Sequence, residues 1–374
     1  MPRSFDIFCR VVDNYGDIGV CWRLARQLAH RTNGGQVRLW VDDLASFSRI
    51  ASRVSTHQEK QLIDGVLVLH WADSLADSFI PADVVIEAFA CDAPADYIAR
   101  MSSDQIWLNL EYLSAETWVE SCHGLPSLQA GGLRKFFFFP GFTTRTGGLL
   151  REPGLIERRH AWHADPNARA GLLQGLGVDP AWLDRVHAGA RLVYVYCYPQ
   201  APLPTLLETL ANDSRDTLVL LPEGICPTDL LYTTSANAER LKIHTHRFVD
   251  QDVLDRLLWG SDLNIVRGED TLLRALWAGR PMIWQPYPQE DDAHLGKLEA
   301  WLALSSFPDD IRQIMLAWSR GDARAVAARL PVVLNDAGLR SWQAHAEAWC
   351  AALQQQSDLT TRLVAFCTKN GQTG

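Results

Sequence analysis

Phe5-Asp6-Ile7-Phe8-Cys9-Arg10-Val11-Val12, running into Asp13-Asn14-Tyr15-Gly16-Asp17-Ile18-Gly19, is the stretch that decides the fold. Its first part has the length and apolar content of a strand. Across residues 19–31 the apolar side chains of Val20, Leu24 and Leu28 recur at helical spacing, which predicts an amphipathic helix. A strand, a turn with two glycines and a helix, in that order, open an α/β unit whose parallel sheet is covered by helices.

The same alternation continues outward. Further strands are predicted at residues 37–41, 66–71, 84–89, 106–110 and 135–139. The run Phe136 to Phe139 reads as a fully buried strand rather than a binding feature. Residues 143–167 read as a loop and 168–188 as helix. A second set of strands follows at 192–197, 218–221, 243–248, 263–266 and 281–285, and the chain closes with helical sequence from 292 onward. A chain of 374 residues exceeds what one core usually supports. The expected architecture is α/β, with two Rossmann-like domains at residues 1–155 and 170–340 facing across a cleft. The closing helices, from about residue 345 to the end, are expected to pack back on the first domain by analogy with related folds. In such sheets ligands bind at the carboxyl ends of the strands.

Composition narrows the function. The formal charge is -9, from 35 basic and 44 acidic residues, with no long basic run, so a nucleic-acid partner is not expected. No stretch reaches the roughly 18 apolar residues of a membrane span, and no room is left for a signal peptide before the first strand. The 8 cysteines are scattered, without a Cys-x-x-Cys pair, and read as free thiols of a cytoplasmic protein. Asp42-Asp43 and Asp291-Asp292 do not form an Asp-x-Asp arrangement after an apolar strand, and His123 and His160 lack metal-ligand spacing; neither a metal nor another cofactor is expected.

The turn after the first strand is not a dinucleotide fingerprint, because Gly-x-Gly-x-x-Gly is absent and Asp13 and Asp17 would repel a diphosphate. Gly16 and Gly19 permit a sharp turn and close approach of a ligand. One carboxylate can be assigned to capping the helix, and position suggests Asp17. Two exceed what capping requires, so Asp13 is read as a group that orients, or takes a proton from, an incoming nucleophile.

A second constellation, Arg267-Gly268-Glu269-Asp270-Thr271, stands between a predicted strand and a helix. A helix N-terminus with an adjacent arginine fork and a glycine suits phosphate oxygens. Glu269 and Asp270 complicate that reading, since carboxylates repel diphosphate; one of them binds sugar hydroxyls or complements the helix dipole. Phe248 and Gln251 could stack on and pair with a base, and Tyr196 and Tyr198 end the first strand of the second half. Residues 286–292 could close over a ligand. Glu111 and Tyr112 follow a first-half strand and are expected beside Asp13.

Several of these runs resemble the bacterial elongation factor P arginine rhamnosyltransferases. They are Val12-Asp13-Asn14-Tyr15-Gly16-Asp17-Ile18-Gly19-Val20-Cys21-Trp22-Arg23-Leu24-Ala25, Asn109-Leu110-Glu111-Tyr112-Leu113-Ser114-Ala115-Glu116 and Cys122-His123-Gly124-Leu125-Pro126-Ser127. Residues 135–142, Arg267-Gly268-Glu269-Asp270 and Tyr287-Pro288-Gln289-Glu290-Asp291-Asp292-Ala293-His294 join them. The resemblance implies a GT-B glycosyltransferase that acts with inversion and without metal. It implies dTDP-β-L-rhamnose as donor and an arginine of elongation factor P as acceptor. The catalytic positions become Asp13, Asp17 and Glu269, and the acceptor side gains Glu111 and Tyr112. The donor side becomes Tyr15, Gly16, Tyr196, Tyr198, Phe248, Gln251, Arg267, Gly268, Glu269, Asp270 and Thr271, where family members often carry Ser in place of Thr271. Two other readings fit the bare residues: a GT-B enzyme with another nucleotide sugar or a small acceptor, and a non-catalytic protein that binds a nucleotide or elongation factor P.

Overall fold

A computed structural model describes residues 2–12, 15–32, 35–71, 79–227, 230 and 239–371. The chain divides into two compact units, residues 1–153 with 355–374, and residues 154–354. The first contains strands β1 (Ser4–Cys9), β2 (Gln36–Val41), β3 (Lys60–Ile63), β4 (Val66–His70), β5 (Val84–Ala88), β6 (Ile106–Leu110), β7 (Pro126–Leu128) and β8 (Arg134–Phe138). They form one sheet in the order β3-β4-β2-β1-β5-β6-β8-β7. Pairing is parallel except at the two edges, where β3 meets β4 and β7 meets β8 antiparallel. Both edge strands are absent from the sequence reading, because each is short and carries polar or exposed residues. Phe136, Phe138 and Phe139 are buried, but β8 ends at Phe138 and Phe137 stays partly exposed, so this run is not buried throughout.

β1 lies between β2 and β5, so the sheet reverses its order of addition there, the place where open α/β sheets hold ligands. An acid sits in the middle of this central strand. Asp6 is fully buried and accepts from Arg38 at both oxygens, from Trp40 Nε1 at 3.1 Å, from the Ala82 amide at 3.1 Å and from the Tyr97 hydroxyl. A buried carboxylate persists only with such complete pairing. Beside it Phe8 stacks on Trp40 at 5.5 Å and meets Tyr97 edge-on at 4.7 Å.

The second unit holds β9 (Arg191–Val195), β10 (Thr217–Pro222), β11 (Leu241–His246), β12 (Leu263–Arg267) and β13 (Met282–Gln285), ordered β11-β10-β9-β12-β13. All are parallel, and the order again reverses at the central strand, β9. The helix Leu155–Ala164 occupies part of the segment read as loop; its hydrophobic face is too narrow to announce itself, with Leu155 alone fully buried. The helical stretch beyond it breaks into Ala168–Gly175 and Pro180–His187.

The closing helices divide between the units rather than returning together. Asp336–Gln354 stays with the second, where Gln343 Nε2 donates to the Gly279 carbonyl at 2.8 Å and Trp349 packs on Trp301 at 5.0 Å. Leu359–Asn370 joins the first, where the Thr360 hydroxyl donates to Gln27 Oε1 at 2.9 Å and Phe366 packs on Phe136 and Phe138. The return therefore begins at residue 355, later than expected. All eight cysteines are free thiols, and all but Cys122 are buried.

His123, unassigned in the sequence, serves the fold. Its Nδ1 accepts from the Phe139 amide at 3.1 Å, and its ring packs on Phe138 at 4.7 Å. An accepting nitrogen must be unprotonated, and burial, aided by the Arg362 charge, pushes the imidazole pKa down to about 4. Between that value and the ordinary 6.5 the unfolded chain binds the extra proton, so this stabilisation is complete above the ordinary pKa and is lost as pH falls through the folded one. Chemical denaturation at a series of pH values should show stability falling across this window, and His123→Asn should flatten part of that fall. An equal fall in both proteins contradicts this role.

Candidate active site

At the carboxyl end of the first sheet, β1, β5 and β6 lie side by side, with Phe8 opposite Glu87 and Glu87 opposite Asn109. Asp13 and Asn14 lie outside the described residues. The helix Gly16–Arg31 begins directly after Tyr15, which makes no side-chain cap. Asp17 is not an N-cap. It is 2% exposed and sits in the first turn, its Oδ2 accepting from the Val12 amide at 2.9 Å, so it ties the segment leaving β1 to the helix start. The Tyr15 hydroxyl accepts from Arg49 Nη1 at 3.0 Å. Burial pushes the Cys9 thiol well up and the Cys21 thiol up, which keeps both neutral.

Glu111 and Tyr112 follow β6, with β5 lying between that strand and β1. Burial pushes the Glu111 carboxyl up, against the lowering influence of Lys135. Tyr112 stacks on Phe89 at 4.4 Å and 17°. Phe89, Ala90 and Asp92 all carry positive φ, a conformation that non-glycine residues keep only when their surroundings enforce it. The enforcing groups are Glu87, fully buried, which accepts from the Ala93 amide at 2.7 Å and pairs with Lys135, and Asn109, which accepts from the Ala90 amide at 3.0 Å. Glu87 and Phe89 escaped the sequence reading; they look like ordinary strand residues until the loop conformation is known.

At the carboxyl end of the second sheet, Arg267 closes β12 and Gly268, at φ 65, opens the helix Gly268–Ala278. The Arg267 guanidinium lies 4.2 Å from the Tyr196 ring centre and 4.5 Å from that of Tyr198. It donates to the Cys197 carbonyl at 3.1 Å and to the Tyr196 hydroxyl at 2.9 Å. Two aromatic faces and two acceptors fix the cation in place. Phe248 meets Tyr196 edge-on at 6.2 Å, and Tyr287, half exposed in the loop after β13, meets Tyr198 at 5.5 Å. Gln251 is buried at the start of its helix and its Nε2 reaches Asp270 Oδ2 at 3.5 Å. The Thr271 hydroxyl donates back to the Arg267 carbonyl, so its proton is used within the helix. Glu269 is held in an ion pair by Lys297, which no sequence signal singles out because it comes from a separate helix.

The structure thus gathers Tyr196, Tyr198, Phe248, Gln251, Arg267, Gly268, Glu269, Asp270 and Thr271 around three strand ends of one unit, those of β9, β11 and β12, and places Tyr15, Gly16, Asp17, Glu111 and Tyr112 after two strands of the other, β1 and β6. Among the described residues there is no group of three or more His, Cys, Asp or Glu side chains that could hold a metal ion. No helix among them is long and apolar enough to cross a membrane.

Comparison with known proteins adds the family. The family model described as Elongation-Factor P (EF-P) rhamnosyltransferase EarP matches residues 5–368. The protein-arginine rhamnosyltransferase of Pseudomonas aeruginosa is 45% identical, with 97% of this chain and 98% of that protein covered. That of Shewanella oneidensis is 41% identical, with 98% of each covered. Among solved structures, one described as the structural basis for EarP-mediated arginine glycosylation of translation elongation factor EF-P aligns with TM-score 0.63 at 31% identity, covering 98% of this chain and 99% of that one. The spinosyn rhamnosyltransferase SpnG, 11% identical at TM-score 0.52, covering 97% of this chain and 99% of its own, shares the fold alone. The fold class is GT-B, and the chain belongs to the elongation factor P rhamnosyltransferase (EarP) family.

Proposed function

We propose that this enzyme transfers L-rhamnose from dTDP-β-L-rhamnose to the side chain of one arginine of translation elongation factor P, with inversion at the anomeric carbon, in the cytoplasm. The observation that carries the donor half is Arg267, an immobilised cation at the first turn of a helix whose glycine leaves room for close approach. Helix dipole and guanidinium together stabilise a diphosphate as it departs, with no metal required of the protein. Phe248 and Gln251 receive the thymine base, and Asp270 and Thr271 flank the sugar and phosphates.

The acceptor half answers a chemical difficulty. A guanidinium is protonated at neutral pH and its electrons are delocalised, so it is a poor nucleophile. Carboxylates that hydrogen-bond it localise density on one nitrogen. Asp13 does this from the first turn, Asp17 braces the helix start through the Val12 amide, Glu111 and Tyr112 orient the acceptor, and Glu269 supports the sugar side. The nitrogen forms a bond to the anomeric carbon as the carbon–oxygen bond to dTDP breaks. The nitrogen's proton passes to Asp13, and the electron pair leaves with the diphosphate.

Two variants separate the halves. In steady-state kinetics Asp13→Asn should lower kcat by roughly a hundredfold or more while calorimetry shows dTDP binding retained. Near-normal turnover removes Asp13 from the chemistry. Arg267→Lys keeps a charge but loses the fork and the stack, so dTDP should bind about tenfold more weakly. Unchanged affinity for dTDP, or equal affinity of the parent protein for UDP, contradicts the donor assignment.

A further inference from the structure

The helix that should receive a diphosphate carries two acids in its first turn, Glu269 and Asp270. With Arg267 they sum to one negative charge, a poor receptor for a ligand that is itself negative. Lys297 changes this. Its ammonium pairs with Glu269 Oε1, and the two side chains are only 21% and 17% exposed. The local sum becomes zero, and the helix dipole and the aromatic-clamped guanidinium then set the sign of the field.

Lys297 is presented by a firmly seated element. It lies in the second turn of the helix Ala293–Leu304, whose Leu298 and Trp301 are fully buried. The loop leading into that helix turns through Asp291 and Asp292, both at positive φ, and is tied by the Gln289 amide donating to buried His294 Nδ1 at 3.3 Å. The same loop brings Tyr287 against Tyr198, one wall of the arginine clamp. An exposed ion pair of this kind would contribute little; a half-buried one, between an anchored helix and the phosphate-facing turn, does more.

We infer that Lys297 is a positioning residue of the donor site: by holding Glu269 and cancelling its charge, it allows this acidic helix start to accept a nucleoside diphosphate. The inference rests on the donor reading above. Calorimetric titration of the full-length protein with dTDP tests it. Lys297→Met should weaken dTDP about tenfold, because the Glu269 carboxylate then keeps its charge without this ammonium beside it. Lys297→Arg should stay within about twofold of the parent, which separates charge from packing. In a Glu269→Gln background Lys297→Met should cost less than about twofold, since the charge it cancels is gone. Unchanged affinity in Lys297→Met, or no rescue by arginine, overturns the inference. So does an undiminished loss in the Glu269→Gln background, which would mean that Lys297 acts on the diphosphate directly. If the parent protein gives no heat with dTDP, the donor reading itself fails, and this outcome is distinct from the others. Thermal unfolding of each variant identifies a binding loss caused by misfolding, in which case the Met–Arg comparison is repeated with Lys297→Gln.

Discussion

The guanidinium of Arg267, held between the rings of Tyr196 and Tyr198, is the constraint on which the carboxyl end of the second sheet depends. Arginine side chains at strand ends are ordinarily mobile, and fixing one costs conformational entropy. Here the cost is met by two cation–π faces, a backbone carbonyl and a tyrosine hydroxyl. The result is a charge whose position is set before any ligand arrives, the condition under which electrostatic stabilisation of a leaving group is most effective. The parallel sheet makes this possible by ending β9 and β12 side by side, so that residues far apart in sequence close around one group.

The first unit depends on a different device. Asp17 is buried and committed to the Val12 amide, and Asp6 deeper in β1 is enclosed by four partners. Carboxylates in this unit are thus held by the fold itself. Beside the turn, a strained β5 loop is braced by Glu87 and Asn109 and carries the Phe89–Tyr112 stack. Strain sustained by buried polar groups belongs where geometry matters to function rather than to stability.

Much of this was legible in the sequence, and the limits have physical causes. β1 and the helix after it announce themselves because, Asp6 apart, the buried part of this parallel strand is apolar and its covering helix has one apolar face. The Arg267 turn is equally plain, since strand, glycine and helix are contiguous. The antiparallel edges β3 and β7 are not, because half-exposed strands of three or four residues lack a period long enough to read. That β5 lies between β1 and the strand leading to Glu111 is a property of the sheet, which no single segment announces. Lys297 was invisible for the same reason: its meaning is a contact between separate elements. Asp17 read as a cap, and only the structure shows its carboxylate turned back to the Val12 amide in the segment after β1.

The central claim is that this chain uses a nucleotide-activated rhamnose to modify an arginine of a protein. Intact-mass analysis of elongation factor P after incubation with the purified enzyme and dTDP-β-L-rhamnose tests it most directly. The account predicts one added deoxyhexose, mapped to a single arginine and absent when that arginine is replaced by lysine, with the anomeric configuration inverted relative to the donor. An unmodified acceptor, or sugar on another residue type, would contradict it.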